Sequence, residues 1–128
     1  MLVTKVKEPR NISAKLKDEE IRLCKDYIKG AVHGFCNNNS ETRFSIITLF
    51  GGENTKWKDT PLVKIYDYYV NEKGYDFKKA HNQAGIDVGL ILKSVLCEDD
   101  KFCYEEFEAY RTKEYSRIAI KLNSESHQ

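Results

Sequence analysis

Apolar residues recur along this chain at three- and four-residue spacing in several windows, and that period predicts helices. From Asp18 to Phe35, the residues Ile21, Cys24, Ile28, Ala31, Val32 and Phe35 fall on one face, while Arg22, Lys25, Asp26 and Lys29 fall on the other. Asp18 stands where a cap is needed, and Glu19 and Glu20 occupy the first turn, where the helix dipole favours anions. Asn37-Asn38-Asn39 then ends the element.

The stretch from Thr60 to Cys97 carries the strongest pattern. Thr60 caps and Pro61 takes the first helical position, where its missing N–H costs nothing. Leu62, Ile65, Tyr66, Tyr69 and Val70 complete an inward stripe, and Gly74 supplies a stop. Asp76 caps a second helix, Phe77 to Ala84. Gly85-Ile86 reads as a turn, and Asp87 caps a third helix, Val88 to Cys97, with Val88, Ile91, Leu92 and Val95 inward.

Two windows carry both periods. Residues 40–52 alternate as a strand would, yet Ser40 as cap and Gly51 just past the end suit a helix. Partners for a strand are weak elsewhere, which favours the helix. Residues 101–122 have high helix propensity, with Tyr104, Phe107, Arg111, Tyr115, Ile118 and Leu122 on one side; the last part also alternates, so a helix to about Lys113 followed by a strand is the second reading. The expected fold is mainly α, a single compact domain of five or six helices over residues 18–122. A basic arm (1–17) and a polar tail (123–128) flank it. The alternative is an α+β, winged-helix-like domain with strands near 43–50 and 115–122.

Composition places the chain among globular domains. Its 128 residues are 41% hydrophobic and 12% aromatic, enough to bury a core. The charges nearly cancel, 21 basic against 20 acidic, so no global field draws the protein to nucleic acid or an anionic surface. The first residues hold no long apolar stretch, and no window reaches the length of a membrane span. The expectation is a cytoplasmic protein whose cysteines Cys24, Cys36, Cys97 and Cys103 stay reduced.

Candidate chemistry is sparse. Cys24, His33 and Cys36 share a helix, and Cys97 and Cys103 flank an acidic turn, but no Cys-x-x-Cys knuckle marks a zinc site. A cysteine–histidine pair from Cys36 or Cys103 with His33 or His81 has no local signature. Phosphate loops and dinucleotide turns are absent. No cofactor, metal or catalytic residue is therefore assigned, and an enzyme is not expected. The segment 76–97 has the outline of a helix-turn-helix, with Lys78, Lys79 and Lys93 as phosphate contacts, but its outward face lacks Arg, Asn and Gln to read bases.

Aromatic residues remain. Trp57, between Lys56 and Lys58, reads as a lid over the core or as an exposed anchor. Tyr68 and Tyr75 lie off the inward stripe, and exposed tyrosines beside mixed charge suit a protein-interaction surface. The interaction candidates are thus Trp57, Lys58, Tyr68, Tyr75, Lys78, Lys79 and Lys93. The function expected is a small intracellular binding or regulatory module acting through protein contacts, with a protein partner or a homodimer. The alternative is a nucleic-acid-binding helix-turn-helix or winged-helix domain centred on 76–97.

Overall fold

The computed structural model describes residues 3–38, 43–50, 57–109 and 112–120. In chain order it has a short strand β1 (Val3–Lys5), helix α1 (Asp18–Asn38), a single turn α2 (Ile46–Phe50), and α3 (Val63–Asp67) running into a π-helical turn (Tyr68–Glu72). The long helix α4 (Phe77–Glu98) and a hairpin of β2 (Phe102–Ala109) and β3 (Thr112–Ile120) follow. The fold is mainly helical with a β-hairpin, and four α-helices stand among the described residues where five or six were expected.

The α1 stripe forms as its spacing dictates, with Cys24, Ile28 and Val32 buried. Its start differs by one position. Glu20, not Asp18, makes the end contact, accepting from the Lys17 N–H at 2.9 Å. The entry to α3 is a tight turn in which Thr60 Oγ1 accepts from the Leu62 N–H at 3.2 Å. Gly74, at φ +69°, closes that element with a Tyr75 N–H to Tyr69 carbonyl bond of 3.0 Å.

The Gly85-Ile86 turn does not form. Helix α4 is continuous for 22 residues, and Asp76 caps it by accepting from the Lys79 N–H at 2.9 Å. The reason is phase. Ala80, Ala84, Val88, Ile91, Leu92 and Val95 stay on one buried stripe straight through position 85. One glycine mid-helix costs about 1 kcal/mol, too little to break such a stripe. The helix-turn-helix outline therefore has no turn, and the winged-helix reading goes with it. A Cβ at Gly85 meets nothing within 4 Å. Gly85→Ala is accordingly expected to raise stability by about 0.5–1 kcal/mol in urea unfolding. A loss of stability would mean that the helix breaks there.

Residues 101–122 depart from the first expectation of one helix; the strand of the second reading lies within β3, but a second strand and not a helix precedes it. The described part is a hairpin, not a helix, with Tyr104 and Glu106 of β2 and Tyr115 of β3 buried. Aromatic and β-branched residues suit a pleated surface, and cross-strand contacts outweigh the helix propensity of Glu and Lys. β2 is central, pairing antiparallel with β1 on one side and β3 on the other. The helix favoured for residues 40–52 is present, among the described residues, as α2 alone, and the strand that the alternative placed near 43–50 reduces to one bridge, in which Phe44 exchanges both backbone bonds with Tyr115 at 2.8 and 2.9 Å. Ser45 then caps α2. Ser40, Gly51, Arg111 and Leu122, used in the sequence reading, lie outside the described residues.

Helix α4 sits at the centre, against α1, α2, α3 with its π turn, and β2. Three carboxylates are buried with it. Asp87 lies inside α4, Asp99 is its C-cap, and Glu106 lies on β2. A buried charge persists only with dedicated partners. Each of the three has them, and each ties a separate segment to the helix or the hairpin.

Candidate interaction face

The π turn arranges the tyrosines. Its wider winding ends α3 with Tyr69 buried and Tyr68 half-buried beside it. The Tyr69 hydroxyl donates to Asp87 Oδ2 at 2.5 Å. Burial, and then the Asp87 carboxylate, push the Tyr69 hydroxyl well above the usual phenol range, so it stays a donor. Two further rings rest on Tyr69. Tyr68 meets it edge-on at 5.1 Å and 83°, and Tyr75 stacks on it at 5.8 Å and 14°. The Lys79 ammonium lies 4.2 Å from the centre of the Tyr75 ring. Three of the sequence-predicted residues, Tyr68, Tyr75 and Lys79, are thus brought together around a tyrosine that serves as their support.

Beside Tyr68 opens a cleft of about 530 Å³ between the π turn and the N-terminal stretch. Lys15, Lys64 and Lys73 line it together with Glu20, Asp67 and Glu72. The charges on its walls balance, three basic against three acidic. A second cleft, of about 560 Å³, shares no residue with the first, and its lining includes Leu96, Phe102 and Ile118.

The other candidates fall elsewhere. Trp57 is buried, 5% exposed, so it is the lid and not an open anchor. Its ring stacks on His81 at 5.2 Å and 10°. Lys58 and Lys78 are exposed. Lys93 is already paired: its ammonium is 3.2 Å from the buried Glu106, which also holds Lys113 at 2.8 Å. Burial would raise the Glu106 carboxyl, but the two ammonium groups reverse that and hold it below its usual range.

The cysteines and histidines do not assemble. Among the described residues no three His, Cys, Asp or Glu side chains converge in a metal-binding group. Burial pushes the Cys24 thiol up to about 11, with Glu20 adding to the rise, and the thiol donates to the Pro61 carbonyl at 3.4 Å. Burial also raises Cys36 and Cys97; beside Cys36 the Arg117 guanidinium offsets part of that rise. His33 shares its helix with Cys36, but its Nε2 lies 2.8 Å from Asp99 Oδ2. Asp99 is 1% exposed and also accepts from Tyr104 Oη at 2.7 Å and from the Lys101 and Phe102 amides at 2.8 and 3.0 Å. Burial alone would raise this carboxyl. His33, Tyr104 and the two amides overcome it and hold Asp99 well below the carboxylate range. An ionised carboxylate only accepts, so His33 Nε2 carries the proton in this contact.

Sequence reasoning missed Asp87 and Asp99 as structural anchors. It assigned Asp87 to a helix start and read the neighbourhood of Asp99 only as an acidic turn. The available signal for Asp87 was its position one residue before Val88, on the buried side of an unbroken α4 stripe. No described helix is long and apolar enough to cross a membrane. Compared with protein-family models, with characterised proteins and with solved structures, the chain matches none.

Proposed function

We propose that this chain is a non-enzymatic binding module of the cytoplasm that takes a protein partner on the face formed by Tyr68, Tyr75 and Lys79. The observation that carries the reading is the stacked set Tyr68–Tyr69–Tyr75, fixed from beneath by the Tyr69–Asp87 bond. Rings held in place before contact lose little freedom on binding, and tyrosine is over-represented among residues that dominate binding energy. The balanced charge of the adjoining cleft favours a protein surface over a nucleic acid. The four cysteines, free of disulfides, suit a reducing compartment.

The test compares capture from a host lysate by the natural chain, by the double variant Tyr68→Ala, Tyr75→Ala, and by Ile118→Asp in the second cleft. The partner is then purified and its affinity measured. The double variant is expected to weaken binding about 30-fold or more, the loss of a strong contact point, whereas Ile118→Asp leaves it unchanged. Retention of every captured protein by the double variant would remove the proposal. A calibrated column mass of two chains, lost in the double variant, would make the partner a second copy of this protein.

A further inference from the structure

Trp57 is held under opposing demands. Its backbone lies at φ +54°, and Asp59, two residues on, lies at φ +66°. The left-handed region is rarely occupied by a residue with a side chain, least of all by a bulky one. Trp57 is 5% exposed, yet its Nε1–H is fully buried and has no hydrogen-bond partner among the described residues. His81, stacked on it, has a buried Nε2 that is also unpartnered. Buried ring nitrogens without partners are uncommon and costly. Here two of them lie in one stack, at the end of a strained turn.

Other terms hold the ring in. The indole leaves water, its face covers His81, and Thr60 donates to the Trp57 carbonyl through both N–H (3.1 Å) and Oγ1 (2.7 Å). His81 in turn packs at 5.6 Å on Phe77, a ring 41% exposed, and Phe77 meets Tyr66 at 6.1 Å. Lifting Trp57 lets both backbone positions relax, gives both nitrogens access to water, and extends the aromatic row that Phe77 already presents.

We infer that Trp57 is a latch: closed over His81 in this structure, it opens while the rest of the domain stays folded, and so adds its indole to the Phe77–Tyr66 surface. The reading is independent of the tyrosine face. It rests on the paired unpartnered nitrogens, and the strained turn adds to it. It also unites the two roles that the sequence offered for Trp57, lid in one state and exposed aromatic in the other.

The chain has one tryptophan, so a ¹⁵N-labelled sample gives a single indole signal. Solvent exchange of that indole N–H is compared with exchange of the Leu92 amide in the core of α4. The indole is expected to exchange about a hundredfold faster or more, under conditions where the domain remains folded. Two variants stabilise the closed state. Asp59→Gly removes the penalty at φ +66° and should slow indole exchange about threefold. His81→Phe keeps a ring under the indole, removes the unpartnered nitrogen, and should slow exchange by about fivefold or more. Indole exchange as slow as that of Leu92 would overturn the latch. So would fast exchange that neither variant slows, because the strain and the unpartnered nitrogens would then not be its cause.

Discussion

Replacing Asp87 by alanine is expected to cost about 3–5 kcal/mol. The carboxylate is 1% exposed and serves three donors. Its Oδ1 accepts from the Ser13 N–H, and Oδ2 accepts from the Ala14 N–H, each at 3.1 Å, while Tyr69 Oη donates to Oδ2. Truncation leaves the Ala14 amide and the Tyr69 hydroxyl inside without this acceptor, and it frees the part-buried Ser13 amide. Against the total of roughly 5–15 kcal/mol that holds a domain together, that loss is severe. Urea unfolding measures it, and a change below about 1 kcal/mol would contradict the assignment. Hydrogen exchange adds a local readout. The amides of Ser13 and Ala14 should lose protection before those of α4, because their anchor is gone.

Asp99→Ala should cost a similar amount, about 3–5 kcal/mol, by stranding His33, Tyr104 and two backbone amides. Asp99→Asn separates charge from shape. The folded carboxyl titrates below its unfolded value, so its contribution is complete above the unfolded value and is lost as pH falls towards the folded one. The stability gap between the natural chain and Asp99→Asn should therefore be widest near neutral pH and narrow steadily below about pH 4. Glu106, also lowered, steepens the acid loss in both proteins and cancels in the comparison. A gap independent of pH would show that Asp99 acts through shape alone.

Helices whose register is set by one face were legible in the sequence. The α1 stripe, the Asp76 cap and the Gly74 stop each follow from residues within a turn of each other. The errors came where a distant partner decides. Gly85-Ile86 looks like a turn only if the stripe on either side is read in separate pieces, since continuity across it is enforced by packing on both flanks. The hairpin was obscured because Glu105, Glu106 and Glu108 favour helix, while Glu106 and Glu108 are met across the strands by Lys113, and Glu106 also across the core by Lys93. The candidate face was half legible. Tyr68, Tyr75 and Lys79 were identifiable as off-stripe residues, but the π turn and the support from Asp87 are products of tertiary packing. The lid reading of Trp57 was legible, but its stacking on His81 was not, and Lys93 is paired by a carboxylate thirteen positions along the chain.

The position of β1 sets an order of assembly. Val3–Lys5 pair with Glu105–Phe107, roughly a hundred residues away along the chain. A ribosome releases the first strand long before its partner exists. Until β2 emerges, that segment can gain nothing from the sheet, while α1 and α4 can already form from local contacts. Closure of the three-stranded sheet thus waits for a chain that has been synthesised at least through residue 107.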